Sequence, residues 1–129
     1  MLPFTIALRA GEPIYEQVVY AVRRAVVTGQ LRPGDAFPSV RDLSQALKIN
    51  PNTAHRIVAL LVAEELLLVH PGVGTVVGNP EQTDVAGHRA VLEDVAERLV
   101  VDARRHGVGL ADLLAAIRRH WSRTINKAG

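Results

Sequence analysis

The amino-acid sequence predicts a mainly α fold carrying one small β-hairpin, with two further helices after it. Three observations lead there. Apolar residues recur at helical spacing in three short stretches before residue 65. A Pro71-Gly72-Val73-Gly74 turn then divides two short runs rich in Leu, Val and Thr. Beyond residue 84 two longer stretches carry helical stripes again, separated by Gly107 and Gly109.

Composition sets the bounds. At 129 residues the chain is one domain, or one small domain with an appendage. Hydrophobic residues make up 48%, enough for a packed core, but aromatics only 4%, so Val, Leu, Ile and Ala must fill it. The formal net charge of +2 is mildly basic, and residues 1–78 and 79–129 each contribute +1. This permits nucleic-acid binding without arguing for it. The absence of cysteine excludes disulfides, thiolate catalysis and zinc–cysteine sites. The first residues, MLPFTIALRAGEP, lack a basic leader, and their apolar run is short for a secretory signal. The richest apolar run, Leu60 to Val69, is split by Glu64 and Glu65, so no membrane span is expected. The expectation is a soluble, cytoplasmic protein.

In chain order, Phe4 to Leu8 reads as a short strand ended by Gly11 and Pro13. Ile14, Val18, Val22 and Val26, with Ala21 and Ala25 beside them, predict a first helix that Gly29 stops. Leu31 to Asp35 is a turn, because Pro33 followed by Gly34 suits a tight reversal. Ser39 is an N-cap, with Asp42 three residues on as in a capping box. Val40, Leu43 and Leu47 then face one way, and Lys48-Ile49 turns the chain. Asn50 caps the next helix, with Pro51 at its first position, where a missing N–H costs nothing. Ala54, Ile57, Val58 and Leu61 form the buried stripe of this third helix. Leu66–His70 and Thr75–Val77 make a hairpin around Pro71-Gly72. Two helices joined by a tight turn and followed by a hairpin form a winged helix-turn-helix, here over residues 1–78. Residues 79–84 read as a linker. A helix from about Thr83 to Arg105 carries Val91, Leu92, Val95, Leu99 and Val101, with an Arg98–Asp102 pair on its surface. A last helix from about Leu110 to Arg123 aligns Leu110, Leu113, Leu114, Ile117 and Trp121. Two helices of this size cannot bury such stripes alone, so 85–124 is read as a helical dimerisation domain and 125–129 as a tail.

The ordered runs Pro13-Ile14-Tyr15-Glu16-Gln17, Gly29-x-Leu31-x-Pro33-Gly34-Asp35, Pro38-Ser39-Val40-Arg41-Asp42-Leu43, Asn50-Pro51-Asn52-Thr53 and Gly72-x-Gly74-Thr75-Val76-Val77 resemble the GntR family of bacterial transcription regulators. The Pro-Ile-Tyr-Glu-Gln and Asn-Pro-Asn-Thr runs, with the short C-terminal part, resemble its YtrA subfamily. The resemblance covers residues 13–77 nearly without gaps. It implies a winged-helix DNA-binding domain, a two-helix C-terminal dimerisation unit, and a homodimeric repressor, often of its own operon and neighbouring membrane-transporter genes. Two positions depart from the family. Glu65 stands where Gly usually ends the recognition helix, and His70-Pro71 stands where a basic residue often precedes the wing glycine.

A recognition helix presents its N-terminal side chains to base edges in the major groove. That singles out Asn50, Asn52, Thr53, His55 and Arg56 as DNA contacts, with Arg56 suited to guanine and Asn52 to adenine. Other readings stay open: Asn50 and Thr53 as caps, and Arg56 as a brace on the domain surface. Arg41 matches a DNA-contacting arginine of the family; its alternative is a surface salt bridge to Asp42 or Asp35. Ser39 serves as cap and phosphate neighbour at a helix start. Gly72, Gly74 and Thr75 would place the wing near the backbone or minor groove, and the glycines also make the turn. Tyr15 is read as packing, and Trp121 as dimer core.

The expected partners are a double-stranded DNA operator and a second copy of the chain. No cofactor is implied. His88, His106 and His120 lack tight ligand spacing, so no metal is expected, and no catalytic constellation stands out. Two rivals remain: a winged helix that docks on a protein partner, and a ligand-sensing or enzyme subunit. An effector, if one acts, is an unknown small molecule at the dimer interface or a partner.

Overall fold

The computed structural model describes residues 2–79 and 85–128, and the chain divides into two compact units near residue 80. The first holds α1 (Ile14–Val27), α2 (Val40–Leu47), α3 (Pro51–Ala63), β1 (Leu67–His70) and β2 (Gly74–Val77). The second holds α4 (Val85–Arg105) and α5 (Leu110–Ala128). The fold is therefore mainly α with a small β wing, as expected.

The core of the first unit is aliphatic. Val18, Val22, Leu31, Leu43, Ile57, Leu61, Leu67 and Val77 are its largest fully buried side chains. The stripe on α1 differs from the expected one in one respect: Ile14 is 41% exposed, and Val19 is buried instead. A series spaced by four residues advances about 40° per step relative to a 3.6-residue turn. By Ile14 it has drifted off the core face, and half-buried Tyr15 takes that place. Residues Phe4 to Leu8, expected as a strand, pair with no other strand among the described residues. The Thr5 amide and hydroxyl bind the Gln30 side chain, and the Arg9 amide donates to Gln17 Oε1 at 2.7 Å. Side-chain amides satisfy this arm in place of a sheet neighbour.

β1 and β2 are antiparallel, with Leu67 opposite Val77 and His70 opposite Gly74. The other edge of β2 is also occupied. Gly34 N–H donates to Val77 O at 2.8 Å, Val77 N–H to Asp35 O at 2.8 Å, and Phe37 N–H to Thr75 O at 2.9 Å. The turn after α1 thus continues into an extended stretch stitched to the wing. Phe37 then enters the core, its ring stacked on Phe4 with centroids 5.9 Å apart.

Four helices end on one left-handed residue; at α2, α3 and α4 the N–H that follows it reaches back five residues, whereas at α1 Leu31 N–H reaches back to Ala25 O. At α1 and α4 the left-handed residues are Gly29 and Gly107. At α2 and α3 they are Lys48 (φ 56°) and Glu65 (φ 63°). Behind Glu65, Leu66 N–H donates to Leu61 O at 3.0 Å, so the usual glycine geometry is kept without the glycine. A left-handed conformation costs a non-glycine residue about 1–2 kcal/mol. Glu65→Gly should therefore stabilise the fold by about 0.5–1 kcal/mol after the greater freedom of an unfolded glycine is subtracted. A rise in the urea midpoint would register this, and an unchanged or lower midpoint would refute it.

Gly78 is buried against this cap. A Cβ there would lie 2.5 Å from the Glu65 carbonyl oxygen, and its amide donates to Leu66 O at 2.9 Å. Backbone on both sides cannot yield as a flexible side chain would. Gly78→Ala should cost about 1–3 kcal/mol, measurable by the same unfolding titration.

Among residues 89–123 of the second unit none is buried; Ala103, Leu113, Ala115 and Ala116 are half-covered and the others exposed. Arg98 pairs with Asp94 at 3.3 Å, not with Asp102 as expected. An acid one turn N-terminal to the base is the favoured order on a helix. α5 continues through Ala128, so the residues expected as a tail up to that point are helical. Nothing between Arg123 and Ala128 is a proline or glycine that would stop it.

Candidate nucleic-acid interface

α2 and α3 present the candidate residues through their first turns. Ser39 caps α2, its Oγ accepting from Asp42 N–H at 3.1 Å. Arg41 follows, exposed, and among the described residues it joins neither Asp42 nor Asp35 in an ion pair. The Asp35 carboxylate instead accepts from Arg32 N–H at 2.9 Å. After left-handed Lys48, Asn50 caps α3: its Oδ1 accepts from Asn52 N–H at 2.8 Å. The capping reading of Asn50 is therefore the observed geometry.

Asn52, His55 and Arg56 are exposed on the first two turns of α3, whereas Thr53 is half-buried. The opposite face of the helix carries fully buried Ala54, Ile57 and Leu61, which fix its rotation. The Arg56 guanidinium lies over the Tyr15 ring, 4.8 Å from its centroid. This joins the starts of α1 and α3, a contact that no local pattern in the sequence signals. Arg23 on α1 makes a bidentate pair with Glu64 at the end of α3, so α3 is tied to α1 near both ends.

The wing tip turns at Gly72 (φ 79°), with Val73 N–H donating to His70 O at 3.0 Å. Pro71 followed by a left-handed glycine is the arrangement of a type II turn. Gly72 and Gly74 are exposed and Thr75 half-buried. The Phe37–Thr75 bond sets Thr75 beside the strand-like stretch that leads into Ser39. No Lys or Arg lies between Leu66 and Val77, and Val69 and Val73 are exposed there. Among the described residues, no group of three His, Asp or Glu could hold a metal ion.

A model of bacterial regulatory proteins of the gntR family matches residues 14–77. The HTH-type transcriptional repressor YtrA of Bacillus subtilis is 33% identical over 106 residues, spanning 81% of this chain and 82% of that protein. The chain belongs to the GntR family. Within it, similarity is to the YtrA branch in structure as well. A GntR-family transcription factor YtrA from Sulfolobus acidocaldarius superposes with a TM-score of 0.60 at 26% identity, over 92% of this chain and 97% of that one. A transcriptional antiterminator from Listeria monocytogenes superposes with a TM-score of 0.77 at 25% identity, over 98% and 92% of the two chains. The likeness thus spans both helical units of this GntR-family chain and not the winged helix alone.

Asn52, His55 and Arg56 lie on the face of α3 that the core leaves open. Sequence reasoning located these residues through caps and turns. It missed the Tyr15–Arg56 stack and the buried Phe37, although Phe37 before Pro38 carried a signal: the residue preceding proline is driven to extended backbone.

Proposed function

We propose that this chain is a transcriptional repressor that binds a near-palindromic operator as a homodimer in the cytoplasm. The observation that carries the reading is the exposure of Asn52, His55 and Arg56 on a capped helix whose other face is locked into the core. In this reading residues 1–78 read DNA and 85–124 join the protomers. Ser39, Arg41 and the wing residues Gly72, Gly74 and Thr75 hold the phosphate backbone, while Asn50 and Thr53 shape the start of the helix. Arg56 and Asn52 read bases. Two heads then meet half-sites about one helical turn, or a multiple of it, apart. The regulated genes are its own operon and neighbouring transporter genes, as the family suggests.

Fluorescence anisotropy against the duplex upstream of its own gene, with random DNA of equal length as control, tests this. A preference of about a hundredfold for the upstream duplex is expected, weakening steeply as salt rises. Arg41→Ala should lower that affinity by about tenfold or more with an unchanged thermal melt. Equal, weak binding to both duplexes would favour a winged helix that docks on a protein partner.

A further inference from the structure

The residues assigned to DNA reading touch DNA themselves in the proposed complex; Tyr15 has a different part. It stands in the first turn of α1, half-buried against the core, so its ring is a fixed platform. The Arg56 guanidinium rests on that platform 4.8 Å from the ring centroid. Among the described residues, no carboxylate pairs with Arg56. The stack is what sets its position.

We propose that Tyr15 is a positioning residue for base recognition: its ring presets the Arg56 guanidinium for bidentate donation to a guanine edge. This rests on the reading of Arg56 as a DNA contact. The chemistry is specific to an aromatic plane. A stacked guanidinium gives its face to the ring, while its five N–H donors, all in the guanidinium plane, stay available at the rim. An unstacked arginine on an exposed helix surface would lose rotamer freedom on binding, and holding it beforehand removes that loss. An aliphatic residue at position 15 would pack against the same core without supplying the plane. The tyrosine hydroxyl has no part in the stack, so phenylalanine should serve equally well.

The test is a double-mutant cycle on the full chain, read as dissociation constants for a duplex enriched by the wild-type protein from a randomised pool. Arg56→Ala should weaken binding by about tenfold or more. Tyr15→Leu should weaken it by roughly three- to tenfold, and Tyr15→Phe by less than about twofold. In the Arg56→Ala background, Tyr15→Leu should have no further effect. A Tyr15→Leu loss of equal size in both backgrounds would make Tyr15 merely structural and overturn the proposal. Wild-type affinity in Tyr15→Leu would overturn it as well. Wild-type affinity in Arg56→Ala would instead sink the underlying reading of Arg56, a separate result. Should Tyr15→Leu fail to fold, the arginine Nε–H resonance of Arg56 in the free wild-type protein decides. A ring-current shift that persists on DNA supports the proposal, and a random-coil position refutes it.

Discussion

Ile117→Asp is expected to leave the protein monomeric and to lower its affinity for a two-half-site operator by about 10²–10⁴-fold, with the winged helix still folded. The expectation comes from the state of the second unit in a single chain. Val91, Leu92, Val95, Leu99, Leu110, Leu114, Ile117 and Trp121 are all exposed there, Trp121 at 68%. Leu113 is half-covered. Helices carrying so much apolar surface are not stable by themselves in water. In the proposed dimer a twin covers it, and a carboxylate at position 117 would be buried there without a partner. The large effect on DNA then arises without any change at the reading head, because joining two heads makes the second contact intramolecular. Sedimentation equilibrium reads the assembly state, and binding to a single half-site duplex should remain as in the wild type. A variant that stays dimeric would show that the protomers meet elsewhere.

Phe37→Ala should destabilise the first unit by about 3–5 kcal/mol. Phe37 is 6% exposed and stacks on Phe4 with the ring planes within 1° of parallel. The chain has only two phenylalanines, so the remaining core is small aliphatic side chains that cannot expand into the space. Loss of the ring also releases Phe4, and with it the N-terminal arm. Domains of this kind are held by about 5–15 kcal/mol in total, so a measurable unfolded fraction at growth temperature is expected. Urea denaturation followed by far-UV circular dichroism measures the loss. Phe37→Leu, which keeps much of the volume, should recover about half or more of it. A Phe37→Ala cost below about 1 kcal/mol would be less than the burial of the ring alone is worth and would refute its place in the core.

Much of the fold was legible because its signals are local. Ser39 and Asn50 are side chains that bind the backbone two or three residues away, so they mark helix starts wherever they occur. Pro71-Gly72 sets its own turn. What was not legible depends on partners distant in sequence. The stretch at residues 34–37 becomes strand-like because β2 offers it an edge, whereas the arm at Phe4–Leu8 and Arg9 is met by the Gln17 and Gln30 side chains instead of a strand. The left-handed Glu65 breaks the rule that reads helix ends from glycine. Its geometry is imposed by the hairpin that must begin at once after α3. At the candidate interface, exposure followed from helical periodicity, whereas the Tyr15–Arg56 contact spans 41 residues and needed the packing of α1 on α3.

Because β2 is bonded along both edges, the wing is the middle of a strap running from the turn after α1 to the end of α3. Arg23 and Glu64 close the same circuit on the far side. A reading head built this way behaves as one stiff casting, in which the wing cannot be withdrawn while the helix stays engaged. An inducer acting on such a protein would have to turn or separate two intact heads, like the jaws of a calliper set to a fixed gauge. In the proposed homodimer, the variable that a signal could adjust is then the distance between half-sites that the pair can span, not the shape of either head.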